Sequence, residues 1–65
     1  MIKTKMKESR ARFGLKQEDL AKLVGVRRET IGSLENGKYN PSLKLAMDIA
    51  KVFQTTVEDV FEFVD

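Results

Sequence analysis

Apolar side chains along the chain recur three and four residues apart, in short blocks that end at a glycine or a proline. That spacing is the period of an amphipathic helix. Gly14, Gly25, Gly37 and Pro41 divide the chain into four to five helices, each a few turns long. The first is predicted over residues 5–13, with Thr4 as N-cap, Met6 and Phe13 turned inward, and Gly14 in the left-handed closing position. A second, over 17–24, carries Leu20, Ala21, Leu23 and Val24 and stops at Gly25. Its first turn holds Glu18 and Asp19, where negative charge complements the helix dipole. The third, 28–36, has only Ile31 and Leu34 as large apolar groups. The fourth, 43–53, follows Ser42 as N-cap and spreads Leu43, Ala46, Met47, Ile49, Ala50 and Phe53 over a broad apolar face. Thr56-Val57-Glu58-Asp59 has the form of a capping box, so a short fifth helix starts at Val57, with Asp59 reaching back to the Thr56 amide. The two ends are too short for helices. Phe61 and Phe63 flank Glu62 with a period of two, so the termini either pair as a short antiparallel ribbon or leave the C-terminus frayed.

Composition narrows what such a helical unit can do. The 65 residues make one domain, residues 1–65, with a modest core, since a chain of this size buries only about 60% of its unfolded surface. There is no cysteine, histidine or tryptophan, which excludes a disulfide framework, a thiolate or imidazole catalyst and a zinc cluster. Glu58, Asp59 and Glu62 form the one acidic cluster that suggests acid–base or metal chemistry. Capping and a solvated face account for it, and too little chain is left to enclose a substrate. We therefore expect neither an enzyme nor a cofactor. No apolar run approaches the roughly 18 residues of a membrane helix, and Met1-Ile2-Lys3-Thr4-Lys5-Met6-Lys7 lacks the apolar segment of a secretory signal. A cytoplasmic location without a membrane partner is the expectation.

The net charge of +2 conceals an uneven distribution: residues 1–28 hold nine basic and three acidic groups, residues 29–65 three and seven. Such a chain can turn a basic face toward phosphates, although a mixed, solvated surface fits the same counts. The stretch 17–37 decides between these. Ala21 precedes Gly25 by one turn, Val26 follows, and Ile31 and Leu34 anchor the next helix. Two helices joined by so short a turn cross steeply, and their contact admits only a small side chain such as Ala21. Gly25 permits the positive φ that the change of direction needs.

With Ile31 and Leu34 inward, the third helix presents Arg28, Glu29, Gly32, Ser33 and Asn36 outward, a narrow polar face that fits the roughly 12 Å major groove of B-DNA. Arg28 can donate to guanine, Glu29 can accept from the cytosine amino group, and Ser33 can serve either base edge. An ordinary solvated helix face is the competing account, and the Ala21/Gly25/Ile31 spacing argues against it. Glu35 lies near the basic groups of the same helix pair, and an ion pair with Arg10 is a structural use for both.

Gln17-Glu18-Asp19-Leu20-Ala21, Val24-Gly25-Val26, Glu29-Thr30-Ile31, Leu34-Glu35-Asn36-Gly37 and Asn40-Pro41-Ser42 resemble the phage-repressor (Cro/repressor-type, xenobiotic-response-element) helix-turn-helix family. The likeness covers nearly the whole chain. With Val57-Glu58-Asp59-Val60-Phe61 it is closest to minimal one-domain members similar to the cytolysin repressor. The resemblance implies an all-α, compact five-helix helix-turn-helix DNA-binding domain with a terminal β-ribbon. It implies base reading by Arg28, Glu29 and Ser33, and backbone contacts by Gln17, Arg27, Asn36 and Lys38, with Tyr39, Asn40 and Arg10 as further phosphate contacts. Lys16 and Arg27 stand where such proteins commonly place N-capping Ser or Thr; neither side chain can cap, and each is basic and near the DNA backbone.

A single motif reads too few base pairs for useful specificity, so a homodimer on a palindromic operator is expected; Phe61, Phe63 and Val64 either form its interface or finish the core. Repression of transcription is the simplest role. An antitoxin or restriction-control regulator with a protein partner is one alternative, and a protein-interaction module without specific DNA binding is another.

Overall fold

A computed structural model of the chain describes residues 2–38 and 40–63. Five helices follow one another: α1 (Met6–Phe13), α2 (Gln17–Val24), α3 (Arg28–Glu35), α4 (Leu43–Val52) and α5 (Val57–Val60). The termini supply β1 (Ile2–Thr4) and β2 (Phe61–Phe63), which pair antiparallel with Ile2 opposite Phe63, Lys3 opposite Glu62 and Thr4 opposite Phe61. Of the two arrangements that the sequence left open for the ends, the ribbon is the one adopted.

The helices end where their local chemistry ends them. Gly14 and Gly25 close α1 and α2 at φ +68 and +74, a region where a side chain is penalised. The Ser42 hydroxyl accepts the Leu45 amide at 3.1 Å, and the Thr56 hydroxyl accepts the Asp59 amide at 3.3 Å. Two expected caps differ. Thr4 is drawn into the ribbon as the partner of Phe61, so α1 starts one residue later than predicted and Lys5 stands at its N-cap without a side-chain bond. The Asp59 carboxylate accepts chiefly from the Thr55 hydroxyl at 2.7 Å; that bond is the main reason its pKa is lowered, followed by the Thr56 side chain, and the Thr56 backbone amide is a smaller cause.

Met6, Leu20, Ile31, Leu34, Ile49 and Val60 are fully buried and join all five helices in one core, which the ribbon extends through Ile2 and Phe61. Ala21, at the expected crossing of α2 and α3, is buried too. Phe13, predicted inward, is 39% exposed and rests at the rim, its ring centroid 6.0 Å from that of Phe53. Leu43 and Met47 remain exposed although α4 has the broadest apolar face. Among the described residues no further layer covers the outer half of that face.

Candidate nucleic-acid interface

The packed pair α2–α3 carries the candidate site. Gly25 turns the chain, and the Val26 amide donates back to the Ala21 carbonyl at 3.0 Å, so α3 departs from a fixed point at the end of α2. Ile31 and Leu34 then pin one side of α3 into the core. The opposite side is left to solvent: Arg28, Glu29 and Asn36 are exposed, and Gly32 and Ser33 half-buried. Lys16, Arg27, Lys38 and Asn40 are exposed as well. They sit at the start of α2, at the start of α3 and on the segment that follows α3. Tyr39, expected among the backbone contacts, lies outside the described residues.

Beneath this face runs a polar chain that links three elements. The Arg10 guanidinium of α1 holds Glu35 of α3 through two bonds, Nε to Oε2 at 2.6 Å and Nη2 to Oε1 at 3.0 Å, and gives Nη1 to the Leu15 carbonyl at 3.1 Å. Their side chains are only 13% and 4% exposed. Gln17 Nε2 donates to Glu35 Oε1 at 3.0 Å, and Gln17 Oε1 accepts from Arg28 Nη1 at 3.4 Å. The Arg10–Glu35 pair is the one expected from the sequence. It commits three of the five Arg10 N–H donors within the fold, so the main task of this guanidinium is to neutralise Glu35.

The link from Gln17 to Glu35 goes beyond what the sequence pattern predicts. Its signal is that Glu35 lies one helical turn after Ile31 and so borders the inward face; a carboxylate there needs donors from neighbouring helices. The Gln17 side chain is thus held in place within the fold, while its backbone amide stays at the dipole-positive start of α2, where anions are favoured.

Neither Lys16 nor Arg27 caps with its side chain, as expected. At Lys16 the missing cap is partly replaced from inside the helix, where the Asp19 carboxylate accepts the Lys16 amide at 2.9 Å. Gly32 occupies mid-helix without any need imposed by the fold: a Cβ there would meet only the Gln17 amide, at 3.8 Å. Gly32→Ala is therefore expected to stabilise the protein by about 1 kcal/mol through helix propensity. Urea unfolding measures this, and a net loss would mean that even an ordinary contact disturbs the Gln17–Glu35 bond.

The residues expected at a twofold interface divide. Phe61 is 7% exposed and packs mainly into the core, whereas Phe63 is 69% exposed. Alternation puts both on one side of β2, and the core ends between them. Val64 lies outside the described residues. Phe63 borders an open apolar depression of about 220 Å³ that is also lined by Ile2, Pro41, Leu43, Ala46, Val57 and Phe61. No group of three or more acidic side chains among the described residues is placed to hold a metal ion.

The helix-turn-helix family matches this chain over residues 6–60. An uncharacterized HTH-type transcriptional regulator of Archaeoglobus fulgidus is 63% identical over 62 residues, which span 95% of this chain and 87% of the relative. The regulator YgzD of Bacillus subtilis is 53% identical over 60 residues, 92% of this chain and 91% of its own length. Among solved structures, the restriction-modification controller protein C.AhdI of Aeromonas hydrophila superposes with a TM-score of 0.75 at 33% identity, covering 83% of this chain and 82% of that one.

Proposed function

From the premise that the chain belongs to the Cro/C1-type helix-turn-helix family and is a transcriptional regulator with a DNA-binding domain, we propose that it is a homodimeric repressor of a palindromic operator. It works in the cytoplasm, with residues 1–65 as one DNA-binding unit. The observation that carries this reading is the outward face of α3, polar throughout and bordered by the exposed cations Lys16, Arg27 and Lys38. On this reading α3 enters the major groove; Arg28, Glu29 and Ser33 meet base edges, and Lys16, Arg27, Asn36, Lys38 and Asn40 meet the backbone. The α2 N-terminus adds the Gln17 peptide N–H to a phosphate. The Gln17 side chain takes a second task. Held by Glu35, it turns its oxygen toward Arg28 and so limits the rotamers from which that arginine reads.

Dimerisation is supported by the apolar depression, whose rim residues Leu43 and Phe63 are 73% and 69% exposed. Two copies joined there set two α3 helices on half-sites about 34 Å apart. Occupying a promoter in this way blocks transcription.

The test is selection of bound duplexes from a random library by the purified protein, read by sequencing. An enriched two-half-site palindrome is expected. With Arg28→Ala or Ser33→Ala the preference at one position per half-site should relax, each contact being worth about 1–3 kcal/mol, whereas Lys38→Ala weakens all sequences about equally. Absence of any enriched sequence would reject specific DNA binding and favour a protein-docking role. The likeness to a restriction-modification controller at 33% identity favours a second reading, a regulator of a restriction operon. It is separated from the first by whether the selected operator lies before restriction and methylation genes.

A further inference from the structure

Gly37 follows α3 at φ +69, and a Cβ on it would sit 2.7 Å from the carbonyl oxygen of Ile2. No side chain fits there, so β1 is seated directly on the turn that follows α3. Gly14 and Gly25 share the left-handed backbone, yet a Cβ on either would meet nothing within 4 Å. Contact with the ribbon is thus a property of Gly37 and not of left-handed glycines in this chain. The same strand reaches the apolar depression. Ile2 pairs with Phe63, and both line it together with Leu43.

We infer that β1 is a strut that couples the apolar face to the end of α3, so that covering Phe63 and Leu43 with a second copy steadies the last turn of the helix offered to DNA. The inference rests on the reading of that face as the twofold interface. Its physical basis is short. Apolar cover over Phe63 makes separation of β2 from β1 more costly, and β1 in register keeps the Ile2 carbonyl against Gly37. That contact holds the turn in which the amides of Asn36, Gly37 and Lys38 donate to the carbonyls of Gly32, Leu34 and Ser33 at 3.0–3.1 Å. Linkage is reciprocal, so DNA that orders α3 tightens the dimer to the same degree.

The experiment is amide hydrogen exchange of the full chain by NMR, at concentrations on either side of the dimer dissociation constant found by sedimentation. Exchange at Asn36, Gly37 and Lys38 is expected to slow on the order of tenfold as the dimer forms. In Gly37→Ala the methyl displaces β1, and the concentration dependence at Asn36 and Lys38 should vanish. Gly14→Ala carries the same backbone penalty without the clash, so a merely structural effect would appear equally in both variants. If the protein dimerises and binds DNA but exchange at these amides ignores concentration, the strut is wrong and the dimer stands. If it is monomeric throughout, both fall. Should Gly37→Ala fail to fold, the concentration dependence of the unsubstituted protein decides the question by itself.

Discussion

Glu35→Ala is expected to cost roughly 3–5 kcal/mol, the usual penalty for stripping one partner from a buried ion pair. The loss has two parts. The Arg10 guanidinium, 13% exposed, keeps only its bond to the Leu15 carbonyl and remains charged in a place that water barely reaches. Gln17 loses the acceptor that orders its amide, so Arg28 loses its neighbour as well. Native stability runs at about 0.05–0.15 kcal/mol per residue, so this single change consumes at least about a third of what so small a chain possesses. Urea unfolding should show an early midpoint or no cooperative transition at all.

The companion experiment separates charge from packing. Arg10→Met combined with Glu35→Leu removes both charges and should recover most of the loss, because a buried pair is worth little relative to apolar side chains of similar volume. A loss below about 1 kcal/mol for Glu35→Ala would put the pair in the class of exposed bridges. Lys22–Glu18 is such a bridge here, with nitrogen and oxygen 3.7 Å apart and both side chains largely in solvent. The double variant should also bind DNA with relaxed preference at the base position proposed for Arg28, since stability is restored while Gln17 stays unanchored.

Operator affinity should fall about a thousandfold as salt rises from about 50 to about 200 mM, if Lys16, Arg27 and Lys38 of each protomer neutralise a phosphate. About six such contacts per dimer give a slope of roughly −5 in log K against log [salt], because each releases condensed counterions from the duplex. Fluorescence anisotropy across that range measures the slope. Lys38→Ala should make it shallower by about two, one contact in each half-site. Arg28→Ala should alter preference more than slope. A slope near zero would mean that the exposed cations bordering α3 do not face the duplex.

Helix content and the turn at Gly25 are legible in the chain because their causes are local. The three-and-four spacing around Ile31 and Leu34, the Ser42 hydroxyl three residues before the Leu45 amide, and the closing glycines all act within one turn of backbone. The outward face of α3 follows from the same spacing. Phe13 and Leu43 depart from the inward placement that periodicity predicts for a related reason: periodicity gives a side chain's direction along its own helix, but coverage depends on whether another element lies over it. At Phe13 the cover is a single ring, that of Phe53, and Leu43 stays 73% exposed. Phe61 and Phe63 have the same direction and differ only in where the core ends.

By itself, then, the sequence determined the succession of helices, their start and stop residues to within one position, the turn at Gly25 and the polar face of α3. The termini, the partners of polar atoms and the limits of the core were decided by tertiary structure. Gln17 finds Glu35 across 18 positions. Ile2 meets Phe63 and Gly37 from the far end of the chain. Bonds of that kind form only after helices have packed, and packing follows from total buried surface and volume, which no local window contains.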